Sequence, residues 1–337
     1  MILELQMSHV KINRPGQQWR DQAYREPHPM NSPIDLVIQT PMMDQLIKHL
    51  KGLLFNQDSG ACLLGGHRIG KTTALEEIQK QLNQQSDLPA YCHYYSVDAL
   101  EVKSIKQMYK LFCYQENIKP KFRADGLQMR ELIIHRIVDR FLLSGKRQII
   151  LFIDELQKLS TQQLQALASL HDIFRNMKVN LCIVFVGNTV PSQYVLKAAD
   201  KKSNRLIYGR FFENQKAIYG IKTQEQLEAC LSQFDQLCFP EGGPSYTQYF
   251  VHEDAPKDWK LASLTDLIWD VYIKQFWPKI KGRHESFGMK YFINMVRALL
   301  MLKLNKQWTD DPVALRKMIV DSIRHSKIVA EQVKVVK

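Results

Sequence analysis

The stretch Ala61-Cys62-Leu63-Leu64-Gly65-Gly66-His67-Arg68-Ile69-Gly70-Lys71-Thr72-Thr73 decides the fold. It holds Gly65-x-x-x-x-Gly70-Lys71-Thr72, the pattern of a phosphate-binding loop. A short apolar run ends at Leu64, and an amphipathic run opens at Thr73 and continues to Leu82. Strand, glycine loop and helix is the order the chemistry requires. Backbone N–H groups of the loop face phosphates, and the helix N-terminus adds its positive dipole end. Gly65, Gly66 and Gly70 permit a tight turn and a close backbone approach. Lys71 suits the β- and γ-phosphates of a nucleotide, and the Thr72 hydroxyl suits Mg2+. His67, Arg68, Ile69 and Thr73 complete the stretch expected to line the nucleotide. A turn-rich loop can match the pattern by chance; the strand before it and the helix after it argue against chance here.

Working outward, Gln148-Ile149-Ile150-Leu151-Phe152-Ile153-Asp154-Glu155 is the second anchor. Five consecutive apolar residues fit a strand buried on both faces, as in a parallel sheet. Its two carboxylates fall at the C-terminal end, where open α/β sheets place their ligands. Asp154 suits the Mg2+ shell, and Glu155 suits polarisation of a water for attack on the γ-phosphate. One carboxylate would suffice for binding, so the second points to hydrolysis. A further strand, Leu181 to Asn188, ends on an amide that fits a hydrogen bond to the same water or phosphate, although Asn is also a common turn residue.

The rest of the core fills in around these anchors. Thr40-Pro41 is an N-cap followed by proline at the first helical position, and Leu46, Ile47, Leu50, Leu53 and Leu54 follow at helical spacing. Tyr91 to Val97 is a short β-prone run, and Lys216 to Ile221 gives a fifth strand. Helices are expected at Leu127–Leu142, with Leu127, Leu132, Ile133, Ile137, Val138, Phe141 and Leu142 inward, and at Thr161–Asn176. Beyond residue 222 the texture becomes all-helical, with patterns at 223–237, 261–273 and 291–304. The expected organisation is an extended arm over 1–33, an α/β core over 34–222, a helical lid over 223–325 and a tail over 326–337.

The chain has 337 residues and 45% hydrophobic content, enough to fill a core and to exclude wholesale disorder. No run approaches the roughly 20 apolar residues of a membrane span, so no membrane partner is expected. No leader pattern opens the chain, and six scattered cysteines read as reduced core residues of a cytoplasmic protein. Formal net charge is +12, which suggests a polyanionic partner. The excess concentrates in places. Residues 101–123 carry six lysines and arginines against two acids, and 197–210 carry five against one. Lys103, Lys119, Lys121 and Arg123 are the candidates for contact with DNA phosphates, a solvated helix face being the plain alternative.

The phosphate loop, Asp154-Glu155, Asn188 and Arg210-Phe211 fall in the order shared by AAA+ ATPases. The sequence resembles most the TnsC, TniB and MuB-like regulators of transposition, and among them the short TnsC proteins of CRISPR-associated transposons. The loop His67-Arg68-Ile69-Gly70-Lys71-Thr72, the polar helix after Asp154-Glu155 and the compact core carry the likeness, which covers about residues 35–240. It implies an AAA+ P-loop fold, a five-stranded parallel sheet sandwiched by helices with a small helical lid. It also implies ATP and Mg2+ as cofactors at a subunit boundary, and a ring or helical homo-oligomer on double-stranded DNA. Such a protein would bridge a TniQ-like target selector to the transposase. By residue, Asn188 would sense the γ-phosphate, Arg210 or Arg205 would reach a neighbour's site, and Lys290 or Arg297 would be the second sensor. Two other classes stay open: an AAA+ helicase loader or replication initiator, which the lack of an evident helix-turn-helix disfavours, and a nucleotide-switch signalling NTPase.

Overall fold

The computed structural model describes residues 28–32, 36–84, 90–97, 104–282 and 284–329. Most of the expected arm, the end of the tail and the candidate Lys103 lie outside the described residues.

Thr40 caps the first helix, α1 (Pro41–Asn56), its hydroxyl accepting the Met43 N–H at 3.3 Å. Then β1 (Gly60–Gly65) leads through the glycine loop into α2 (Lys71–Gln84), and β2 (Ala90–Ser96) follows. Two helices, α3 (Ile105–Gln115) and α4 (Gly126–Ser144), separate β2 from β3 (Gln148–Asp154). Each opens with a reciprocal cap in which a Ser or Asp and a Gln three residues on satisfy one another's backbone N–H. The same device starts α5 (Thr161–Asn176), at Ser160 and Gln163. The core closes with β4 (Asn180–Asn188), α6 (Thr189–Ala199), α7 (Arg205–Phe211) and β5 (Gln215–Ile218).

The five strands are parallel in the order β2-β3-β4-β1-β5. Their register sets the site: Gly65 lies opposite Asn188, and Ser96 opposite Asp154, so the glycine loop and both polar strand ends share one edge. Alternate strand residues feed two cores. One face packs Leu63, Ile150 and Val184 on α1 and α2; the other packs Ile149, Ile153 and Phe185 on α3, α4, α5 and α7. The result is a three-layer α/β sandwich.

The lid has its own core. It is built from α8 (Gln224–Gln236), α9 (Tyr246–Phe250), α10 (Thr265–Val271), α11 (Trp277–Ile280), α12 (Met289–Arg297) and α13 (Pro312–His325). The expected continuous helices over 261–273 and 291–304 are broken: a 3₁₀ turn precedes α10, and π-helical turns follow α10 and α12. Met30, Leu36 and Ile38 belong to this lid core rather than to the sheet.

Two further expectations are corrected. Ile133, Ile137 and Phe141 of α4 are buried as expected, but Leu127, Leu132 and Leu142 are exposed, and Met129 and Ile134 complete the buried stripe in their place. Cys238 is exposed, whereas the other five cysteines are buried and unpaired. Among the described residues no helix is long and apolar enough to cross a membrane.

Candidate functional site

The glycine loop takes its shape from local sterics. Gly70 has φ +89°, left-handed backbone that a side chain disfavours, and a Cβ there would lie 3.2 Å from the Met289 Cβ. Arg68 also adopts positive φ, at 61°, a strained conformation for a non-glycine residue. Its guanidinium donates to the Tyr291 hydroxyl at 3.1 Å, and its carbonyl accepts the Lys290 N–H at 3.2 Å. The loop is thereby tied to the start of α12 in the lid.

Inside the loop, Lys71 Nζ donates to the Gly66 carbonyl (2.7 Å), the Gly65 carbonyl (3.2 Å) and Asn188 Oδ1 (2.8 Å). Burial lowers the Lys71 pKa from its usual value, with Asp154 and Glu155 opposing the shift. Thr72 Oγ1 donates to Asp154 Oδ2 at 3.0 Å, and the Tyr94 hydroxyl donates to the same oxygen at 2.9 Å. Burial, then the Asp154 charge, push the Tyr94 phenol far up, so it stays a donor. Glu155 sits in left-handed backbone (φ 65°), its own N–H turned onto Asp154 Oδ1 at 2.7 Å. Its carboxylate accepts from Gln157 Nε2, and Gln157 Oε1 accepts the Asn188 N–H at 3.1 Å. A single glutamine therefore joins the ends of β3 and β4.

These groups open on a cleft of about 980 Å3. Its polar end holds His67 to Thr73, Glu155 and Asn188. The apolar end is assembled from separate segments: Val37 and Ile38 before α1, Met42 within it, Tyr219 after β5, and Met289 and Ile293 of α12. A cleft of this size with one cationic and one apolar end suits a nucleotide. The paired Thr72 hydroxyl and Asp154 carboxylate are hard oxygen donors that suit Mg2+, which keeps several waters and needs few protein ligands.

The remaining candidates, apart from Lys290, are elsewhere. Lys290 lines the cleft, but Arg297 points away, its Nε donating to the Met30 carbonyl at 2.7 Å. Neither Arg205 nor Arg210 lines the cleft of its own chain. Arg205 is exposed, and Arg210 pairs with Asp172 at 2.8 Å. Lys119, Lys121 and Arg123 are exposed together on the connection between α3 and α4. Sequence reading missed Tyr94, Gln157, Tyr291 and the apolar end of the cleft. Tyr94 had one usable signal: alternation on β2 turns it to the face opposite Tyr95.

With the geometry in place, comparison is informative. Residues 56–192 match the family model of an AAA domain. The fold is that of an AAA+ P-loop domain. The structure of the Aeropyrum pernix ORC2 protein in its ADP form is similar at TM-score 0.54 and 17% identity, over 84% of this chain and 68% of that one. The Aeropyrum pernix ORC1 protein in complex with DNA is similar at TM-score 0.52 and 13% identity, over 87% and 68% respectively. At such identities the likeness is one of fold. No curated protein matches the sequence.

Proposed function

We propose that this AAA+ protein is an Mg2+-dependent ATPase that assembles on double-stranded DNA and regulates DNA transposition. The observation that carries the ATPase reading is the convergence at one sheet edge of Lys71, Thr72, Glu155 and Asn188, which line one cleft, with Asp154 bonded to Thr72 just behind its wall. Lys71 and the first N–H groups of α2 hold phosphates, while Thr72 and Asp154 hold the metal. Bound Mg2+ supplies charge neutralisation at the phosphates. Glu155 orients and polarises the attacking water, and Asn188, already bonded to Lys71, registers the γ-phosphate. Lys290 is the better placed of the two second-sensor candidates, because it lines the cleft.

Arg210, with Arg205 as its alternate, serves the site of a neighbouring copy, which fits their absence from their own chain's cleft. Such sharing makes hydrolysis depend on a ring or helical homo-oligomer in the cytoplasm. Lys119, Lys121 and Arg123 meet DNA phosphates without reading sequence. A TniQ-like selector and the transposase are the proposed protein partners, supported by the resemblance of the 67–72 loop and of the polar helix after Glu155 to TnsC-type regulators. A second reading, an initiator-type ATPase, is favoured by the similarity to the ORC chains, which runs over more than four-fifths of this chain and so takes in the lid.

Steady-state turnover tests the core of the proposal. Glu155→Gln should bind ATP normally yet hydrolyse it at least about 100-fold more slowly; equal rates would remove the assignment. A strand-transfer assay with transposase separates the two readings. ATP-dependent stimulation or redirection of insertion supports the first, and duplex opening or helicase loading without any effect on insertion supports the second.

A further inference from the structure

The connection between α3 and α4 carries more than charge. Phe122, flanked by Lys121 and Arg123, is 101% exposed, and Tyr114 at the end of α3 is 53% exposed with Lys110 Nζ 5.6 Å from its ring centroid. Single exposed apolar side chains are ordinary on protein surfaces. This one stands on a connection whose two flanks are hydrogen-bonded to the core. Glu116, 6% exposed, accepts the Tyr95 hydroxyl at 3.0 Å, lies 3.2 Å from His93 Nδ1 and pairs with Arg140 at 3.0 Å. Ile118 N–H donates to the Cys113 carbonyl at 2.8 Å, and the Ala124 N–H closes a turn onto Lys121 at 2.9 Å. Ala124 is buried, and Asp125 caps α4 immediately after it. The exposed ring thus lies on a short connection tied down on both sides, by the Glu116 cluster and the Ile118 turn before it and by the Ala124 turn and the Asp125 cap after it.

The position of this tip matters as well. Gln115 brackets Ser96, accepting its N–H at 3.2 Å and donating to its carbonyl at 2.7 Å. Ser96 is the β2 residue opposite Asp154. The tip therefore stands at the same sheet edge as the nucleotide cleft, one strand outward.

A planar apolar face among cations matches a polyanion that carries planar apolar faces of its own. Resting on the DNA-binding reading above, we infer that Phe122 stacks on an unstacked base while Lys119, Lys121 and Arg123 hold the flanking phosphates. The surface would then favour DNA whose bases are locally accessible, as in a bubble or a kinked step, over uniform duplex. Charge alone gives no such preference, because phosphates are present in both.

The test compares binding of the full-length protein, with ATP, to a duplex and to the same duplex with a short mismatched bubble containing 2-aminopurine. The wild type should bind the bubble more tightly and quench the 2-aminopurine. Phe122→Ala should lose at least about fivefold of bubble affinity, the lower end for one base–aromatic stack. The salt slope should be unchanged, since no charge is removed. Phe122→Trp should retain both preference and quenching. The Lys119→Ala/Lys121→Ala double variant should flatten the log–log salt slope by about 0.9 per lost contact and keep the bubble preference. A Phe122→Ala protein with the wild-type bubble-to-duplex ratio overturns the inference while leaving DNA binding at the tip intact. A wild type that binds neither DNA overturns both.

Discussion

Acidification should loosen the segment that leads into the nucleotide cleft. His28 is 2% exposed, enclosed by Phe239, Tyr246, Tyr249 and Phe250 with ring centroids 4.4 to 4.7 Å away. Its Nδ1 accepts the Met30 N–H at 3.0 Å, so the ring is neutral with its proton on Nε2. Burial pushes its pKa down to about 4, against about 6.5 in an unfolded chain. Between these values the unfolded chain holds a proton that the folded chain does not. The stabilising contribution is therefore complete above about pH 6.5 and falls by about 1.4 kcal/mol per unit as pH drops toward 4. From pH 7 to pH 5 the loss is about 2 kcal/mol. Urea unfolding of wild type and His28→Asn at both pH values isolates this term, because all other titrating groups cancel in the double difference. Asn can still accept the Met30 N–H but does not titrate. Cation–π attraction from the four rings acts in the opposite direction. Equal pH dependence in the two proteins, or a wild type that gains stability on acidification relative to the variant, would refute the burial argument.

Three further outcomes are expected. Tyr94→Phe removes one donor from Asp154 Oδ2 and should raise the Mg2+ concentration needed for half-maximal nucleotide fluorescence by about tenfold, the lower end for an outer-shell partner; an unchanged Mg2+ titration would show that Thr72 and the Glu155 N–H suffice to orient Asp154. Gln157→Ala leaves the Glu155 carboxylate with only its ion pair to Lys158 at 3.7 Å and the Asn188 N–H without its acceptor, at a cost of about 1–3 kcal/mol in unfolding free energy. Turnover should fall in that variant while nucleotide affinity holds, so a loss of affinity instead would count against its tethering role. Arg210→Ala should bind nucleotide but not hydrolyse it, and mixing it with Lys71→Ala should restore some activity if one interface can pair two intact halves; absence of rescue at every ratio argues against a shared site.

What the sequence made legible follows from how local each cause is. The glycine loop, the five-residue apolar run before Asp154 and the Thr40-Pro41 cap act within a few residues, and the corresponding elements stand where those signals do. The edges of the α4 face were misjudged, because Leu127, Leu132 and Leu142 flank the stripe of Ile133, Ile137 and Phe141 that the reading did find. Burial follows Met129, Ile133, Ile137 and Phe141, and only the α3 neighbour and the sheet determine which side that is. The apolar end of the cleft was invisible for a related reason. Its residues come from positions near 37, 42, 219 and 289, which share no motif and meet only when the lid folds against the core. Tyr94 and Gln157 are ordinary residues of a strand and a short turn until strand register brings them to Asp154 and Asn188.

Lys290 and Arg297 show what the structure adds. Sequence alone offered them as alternatives for one role, but they stand at opposite ends of α12 and hold different things. Lys290 N–H takes the Arg68 carbonyl of the glycine loop, whereas Arg297 takes the Met30 carbonyl of the segment that His28 anchors. Seven residues, about two helical turns, put both on one side of the helix. The segment after Met30 contributes Leu36 and Ile38 to the lid core and also lines the cleft with them. A single lid helix therefore spans the phosphate end and the apolar end of the nucleotide site, with Met289 and Ile293 between them. A displacement of α12 relative to either segment would strain or break these bonds, to the Arg68 carbonyl at 3.2 Å and to the Met30 carbonyl at 2.7 Å. On the ATPase reading proposed above, a nucleotide that shifts the glycine loop would act on α12 through the Arg68 carbonyl and the Arg68–Tyr291 bond, with Lys290 lining the cleft beside them.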